Sequence, residues 1–327
     1  LKLQNHDPES VALWKKVNEL SINGLNSIYQ RFDITFDHYL GESFYHDKVD
    51  QVYEELEKTG IGQKSEGAWV VFHPEHPRFK KQPFIYKKSD GASNYATTDL
   101  ATMLYRAEHF KATRIIIETD ARQRDHFEQL ELTTRKWFEK TGRAFPEFHH
   151  DMHGAINGAD GKIIKSSEGD PVLLKSLLEE SIERSTAIVE EKNREKQESG
   201  RQPLSSEESA QVAKVIGVSA IRYAELSQNR TSDYVFDWDK LLSFEGNTAP
   251  YLLYAVARIN SIFRSLNSGE LNDLEARASD FETPEELALA RKILGFVSTL
   301  HQTIDTLRPH MLCTYLYELC SAYSGFY

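Results

Sequence analysis

The sequence predicts an α/β region followed by an all-α region, and three observations carry that expectation. A continuous apolar run, Arg114-Ile-Ile-Ile-Glu118, lies between two stretches of helical periodicity, 98–110 and 126–142, the alternation that builds a parallel sheet. Short aromatic and β-branched runs at Trp69-Val-Val-Phe72 and Pro83-Phe-Ile-Tyr-Lys87 supply further strands before it. After about Pro171 strand candidates become few, and apolar residues recur at helical spacing to the last residue.

Along the chain, Val11, Trp14, Val17, Leu20 and Leu25 mark a helix over 11–31. The Pro-rich stretch 73–82 between the two short strands reads as a hairpin-like excursion. The Ile run suits a buried strand of a parallel sheet. Leu174, Leu178, Ile182 and Val189 define a helix that fades into the charged stretch 190–200, a solvated helix end. Ser205 with Glu208, and Thr283-Pro284 with Glu286, are helix-start signals: a hydroxyl that caps backbone N–H groups and an acid that reaches back to the cap. The stripe Ile293, Val297, Leu300, Ile304 and Leu307 follows the second signal, so several amphipathic helices form a bundle.

With 327 residues there is material for two hydrophobic cores. No apolar run approaches the roughly 20 residues that span a bilayer, which excludes a helical membrane protein. The first residues lack the order of a signal peptide and the chain does not begin with Met, so it reads as a piece cut from a longer protein. Cys313 and Cys320 are too few for a disulfide framework, and a reducing, cytoplasmic compartment fits best. A net charge of -11 opposes unspecific binding to nucleic acid, so any such site must rest on local clusters of cations and rings.

Several segments carry residue types suited to chemistry. Asp160-Gly-Lys162-Ile-Ile-Lys165-Ser166-Ser167-Glu-Gly169 presents mobile cations and hydroxyls that can close over a polyphosphate, or form a plain surface turn; it lacks the Walker A order. Asn94-Tyr95-Ala-Thr-Thr-Asp99 leads into a helix, and either Thr98 or Asp99 serves as its cap or the carboxylate faces a ligand. Thr119-Asp-Ala-Arg-Gln123-Arg-Asp-His126 follows the apolar strand at its carboxyl end, where open α/β sheets place ligands. His149, His150 and His153 lack zinc spacing and read as a pocket edge. Tyr223, Tyr234, Phe236, Trp238 and Phe244 interleave with Arg222, Arg230 and Lys240 ahead of Asn247. In a helix starting near Pro250, Leu252, Val256, Ile259 and Phe263 form the buried stripe, and Tyr251, Tyr254 and Arg258 a neighbouring face. Such a face suits stacking on unpaired bases and holding phosphates; simple helix packing is the alternative.

Taken in order, Tyr95-Ala-Thr-Thr-Asp-Leu-Ala101, Asp120-Ala-Arg-Gln123, Asp160-Gly-Lys162, the block 222–234, Phe236-Asp-Trp-Asp239 and Phe244-Glu-Gly-Asn-Thr-Ala-Pro-Tyr251 resemble the arginyl-tRNA synthetase family. The resemblance implies a partial Rossmann-like catalytic domain over 1–172, a helical connector over 173–245 and an α-helical anticodon-binding bundle over 246–327. It implies an arginine pocket of Tyr95, Asp99 and Gln123, edged by His126, His150 and His153. It places Lys162, Lys165, Ser166 and Ser167 at the ATP phosphates, and Asn247, Tyr251, Tyr254 and Arg258 on tRNA. The implied partners are arginine tRNA, L-arginine and ATP with Mg2+, without zinc or membrane, in a protein monomeric at full length. The loop departs from the family's fuller Lys-rich pattern, and the chain contains no His-x-Gly-His signature, so the resemblance implies an incomplete ATP site and no activity for the chain alone. A non-catalytic tRNA-binding module is the competing expectation.

Overall fold

The computed structural model describes residue 3 and residues 7–90, 94–157, 173–265 and 281–327. Backbone contacts divide the chain into two compact units, residues 36–154 and residues 1–35 with 155–327. Helix α1, Pro8–Arg31, belongs to the second.

The unit 36–154 begins with a 3-10 turn, Glu42–Lys48, and helix α2, Val49–Lys58. Strands β1, Gly62–Ser65, β2, Ala68–Val71, and β3, Phe84–Lys87, form an antiparallel sheet in that order, so residues 72–83 are the expected excursion between neighbouring strands. Helix α3, Tyr95–Glu108, leads to strand β4, Arg114–Asp120. Helix α4, Arg124–Thr141, ends at Gly142, whose left-handed conformation an L side chain rarely adopts. Strand β5, Glu147–His153, pairs parallel with β4. Sequence reading took its histidines for a pocket edge and missed the strand. One expectation needs correction: β4 is parallel, but Ile116 is 46% exposed, so the Ile run is covered on one face rather than buried on both.

The core of this unit is dense. Trp137, Tyr86, Phe138, Leu56, Leu100, Met103 and Leu130 are fully buried. The Trp137 indole N–H donates to Glu55 Oε2 at 2.9 Å, and Arg143 grips the same carboxylate with Nη1 at 2.5 Å and Nη2 at 2.9 Å. Burial works to raise the Glu55 carboxyl, but the Arg143, Gln51 and Trp137 hydrogen bonds outweigh it and hold it below its usual range. In the excursion, His73 is fully buried, with Nε2 2.9 Å from Thr133 Oγ1. Burial, aided by the Lys136 charge, pushes this imidazole down to about 4.

The second unit is mostly helical: α1, then α5, Leu174–Glu198, α6, Ser206–Ser227, α7, Trp238–Leu241, α8, Ala249–Ser265, α9, Pro284–Leu294, α10, Phe296–Thr306, and α11, Pro309–Phe326. A short parallel ladder joins β6, Ile156–Asn157, to β7, Tyr234–Val235. Both capping boxes form, Ser205 with Glu208 and Thr283 with Glu286, so local chemistry sets these helix starts. Leu178, Val189, Ala213, Ala220 and Ile221 make the core between α5 and α6. There Ser181 Oγ donates to the Gly217 carbonyl at 2.9 Å, and a Cβ on Gly217 would lie 2.9 Å from Ile182 Cα. Among the described residues no helix is long and apolar enough to cross a membrane.

Two helical expectations are corrected here. The stripe from Ile293 to Leu307 is divided between α9 and α10 at Gly295, and Ile293, Val297 and Ile304 are 58%, 59% and 49% exposed. In α8, Val256 and Phe263 are 51% and 53% exposed while Ala255 is buried. The side carrying Ala255 faces inward, where its small side chain lets the helix approach α6 and α11.

Candidate functional site

In the unit 36–154, α3 and α4 bring a carboxylate, an imidazole and a ring of aromatics together beside the carboxyl end of β4. The helix cap is Asn94, not Thr98 or Asp99: its side chain accepts from Thr97 N–H in a capping box, which places Asp99 one turn inside α3. Asp99 is thereby released from capping. Its Oδ2 lies 2.6 Å from Nε2 of His126, in the first turn of α4. The Asp99 side chain is 33% exposed and that of His126 14%. Tyr95, the first residue of α3, presents its ring to His126 edge-on at 4.8 Å, Phe84 stacks against the same imidazole at 5.7 Å, and Phe127 meets it at 4.9 Å.

Around this centre the predicted residues divide. The His150 ring lies 4.6 Å from Phe127, and its Nε2 is 2.7 Å from Thr119 Oγ1, which ties the site to both strands. Burial, then the His126 charge, lowers the His150 imidazole. Strand alternation sends adjacent His149 to the other face, where Nε2 meets Glu147 at 2.7 Å. His153 pairs in register with Asp120 and is exposed. Asp120 accepts from the Arg122 guanidinium and backbone N–H, which hold it well below the usual carboxylate range and commit it to the turn Ala121–Gln123. Gln123 is exposed, and its side chain makes no cap hydrogen bond to α4. Among those residues no group of three or more potential ligands could hold a metal. Lys162, Lys165, Ser166 and Ser167 lie outside the described residues.

Sequence reasoning missed Phe84 and Phe127, which wall the imidazole, and Glu42, which accepts from Thr98 Oγ1 at 3.1 Å. Phe84 carried a signal, since it alternates with buried Tyr86 along β3.

In the helical unit a second cluster lies at the start of α8. The Tyr223 hydroxyl donates to Asn247 Oδ1 at 2.6 Å, with the Cys313 carbonyl 2.9 Å away, and burial raises this phenol. A cleft of about 120 Å³ beside it is bordered by Phe236, Lys240 and Asn247. Tyr254 is 52% exposed. Tyr251 packs on Tyr317 at 5.5 Å, and the Arg258 guanidinium stacks 3.8 Å above Tyr327 and 5.5 Å from Tyr254. The predicted face is therefore split: Tyr254 and Asn247 face solvent, while α11 partly covers Tyr251 and Tyr327, just beyond it, partly covers Arg258.

The family model for tRNA synthetases class I (R), catalytic domain, matches residues 1–238, and that for the DALR anticodon binding domain matches residues 252–327. An arginine--tRNA ligase of Pseudomonas aeruginosa is 39% identical over 332 residues, covering 100% of this chain and 56% of the relative. That of Pseudoalteromonas atlantica is 41% identical over 333 residues, covering 100% of this chain and 55% of the relative. Among solved structures, the arginyl-tRNA synthetase of Plasmodium falciparum superposes with a TM-score of 0.81 at 28% identity, covering 100% of this chain and 53% of its own. The Thermus thermophilus arginyl-tRNA synthetase shares the fold, with a TM-score of 0.76 at 22% identity over 99% of this chain and 60% of its own. The chain thus spans little more than half the length of the curated relatives it matches, and it belongs to the class I tRNA synthetase family of the arginine type, with a DALR domain after the catalytic region.

Proposed function

We propose that this chain carries the arginine pocket and the tRNA-binding helices of an enzyme that joins L-arginine to its tRNA through an arginyl-adenylate. The observation that carries this is the half-buried Asp99, freed from capping and held by His126 beside the carboxyl end of β4, in a member of this family. A guanidinium offers planar N–H donors, and a fixed carboxylate is the partner that distinguishes it from other side chains. In this reading Tyr95, Asp99 and Gln123 receive the arginine side chain, with Gln123 turning inward on binding, and His126, His150 and His153 edge the pocket. Lys162, Lys165, Ser166 and Ser167 stabilise the phosphates of ATP, with Mg2+, while the arginine carboxylate attacks the α-phosphate and pyrophosphate leaves. Asn247, Tyr251, Tyr254 and Arg258 contact tRNA by stacking and phosphate pairing. The division at 172 and 245 into catalytic part, connector and anticodon-binding helices belongs to the same reading, as do a cytoplasmic setting and a monomeric whole protein.

The test is arginine-dependent exchange of pyrophosphate into ATP by the whole protein with tRNA present. Asp99→Ala is expected to abolish exchange while leaving the fold intact, and a variant that exchanges at the wild-type rate would refute the pocket.

A second reading has its own support: no His-x-Gly-His sequence occurs among the 327 residues. By itself the chain would then bind tRNA, in a salt-sensitive manner, without activating arginine.

A further inference from the structure

We propose that His126 is a positioning residue that sets the plane of the Asp99 carboxylate for a guanidinium, so that it governs the preference for arginine over lysine. The inference rests on the arginine reading above.

The His126 side chain makes one hydrogen bond among the described residues, to Asp99 Oδ2 at 2.6 Å. Three aromatic rings pack against the imidazole: Phe84 stacked at 5.7 Å with 28° between planes, Tyr95 edge-on at 4.8 Å and Phe127 edge-on at 4.9 Å. A site that required only a flat filler would be served by phenylalanine. The imidazole adds a polar nitrogen, and burying it is compensated by the carboxylate it faces.

The bond also removes a freedom. Asp99 stands in the first turns of α3 with its side chain 33% exposed, and a carboxylate there can rotate about both of its side-chain torsions. Pinning Oδ2 to a ring held on three sides fixes the carboxylate plane and leaves Oδ1 and the outward lone pairs for a ligand. The hold continues away from the site. Phe127 rests on His150 at 4.6 Å, and His150 bonds Thr119 at 2.7 Å, so the plane of Asp99 is referred back to β4 and β5.

Orientation matters unequally to the two basic amino acids. A guanidinium is a planar fork whose parallel N–H groups must meet a carboxylate in one plane, whereas an ammonium is a compact charge that satisfies a carboxylate from many directions. Losing the pin therefore weakens arginine binding and leaves lysine nearly unaffected.

The experiment measures arginine-dependent pyrophosphate exchange by the whole protein, with KM and kcat determined separately and lysine as a competing ligand. His126→Phe keeps the packing and drops the donor; His126→Gln keeps an N–H near the original nitrogen; Asp99→Asn tests the pocket itself. His126→Phe is expected to raise KM for arginine about tenfold and change kcat less than about threefold, lowering the preference for arginine over lysine by a similar factor. His126→Gln is expected to recover at least half of the lost preference on a logarithmic scale. An unchanged preference in His126→Phe would overturn the proposal. Should that variant not fold, His126→Leu takes its place as a donor-free variant: a loss of preference of about tenfold supports the proposal, and an unchanged preference overturns it. Full exchange by Asp99→Asn would instead sink the arginine reading, whereas its loss alongside a normal His126→Phe would sink this inference alone.

Discussion

The two compact units hold their apolar residues in different ways. Among the described residues, nearly all of the largest fully buried side chains, from Trp137 and Tyr86 to Val52 and Val71, belong to residues 36–154; Leu178 is the one from the helical unit. Helices α1, α9 and α10 contain no buried residue, and Leu20 and Leu294 are 66% and 82% exposed. The contrast follows from architecture. Strands and helices that cross in layers enclose side chains from several directions, whereas a helix with a single neighbour covers one side. Residues 36–154 are thus the region whose stability depends on interior packing, and the helical unit depends more on caps and on the α5–α6 seam.

Three measurements press on that contrast. The largest effect is expected for Trp137→Ala, which removes a fully buried indole and leaves Glu55 without one donor; the cost is roughly 3–5 kcal/mol. Denaturant titration with peptide-resolved hydrogen exchange would show the loss confined to 36–154, and a cost below about 1 kcal/mol would mean the region is not governed by its interior.

Acidification comes next. Buried His73 binds a proton only near pH 4 when folded, against 6.5 in the unfolded chain. Its folded value is depressed, so between those limits the unfolded state binds more protons: stability is full above about 6.5 and falls as pH drops toward 4. The loss is on the order of 2–3 kcal/mol, with His150 contributing in the same direction. His73→Gln should flatten this slope in the exchange protection of 36–154, and an unchanged slope would show that another group titrates.

The smallest effect is expected for Leu294→Ala, within about 0.5 kcal/mol because the side chain is already in water. A cost above about 1 kcal/mol, read by the same titration, would reveal that this face is covered in solution and would weaken the contrast.

What could be read in the sequence was what local chemistry determines. Ser205 with Glu208 and Thr283 with Glu286 needed only neighbours three residues away, and both boxes form as read. The helix that carries Asp99 was legible, although its cap is Asn94 rather than Thr98 or Asp99. Long-range packing was not legible. Whether α8 buries Val256 and Phe263 or Ala255 depends on α6 and α11, and the apolar spacing supports either face. Strand β5 escaped because histidine and aspartate carry no strand signal, while its pairing with β4 lies in backbone hydrogen bonds. The Asp99–His126 pair joins residues that only the meeting of α3 and α4 brings together.

The seam at Gly217 has a mechanical consequence. Where Ser181 bonds the Gly217 carbonyl and the Ile182 backbone leaves no space for a methyl group, α5 and α6 touch almost backbone to backbone. At this one crossing no side chain lies between them to absorb a displacement, whereas Leu178, Val189 and Ile221 cushion the rest of the seam, so Gly217 is the fixed point about which the two helices can adjust.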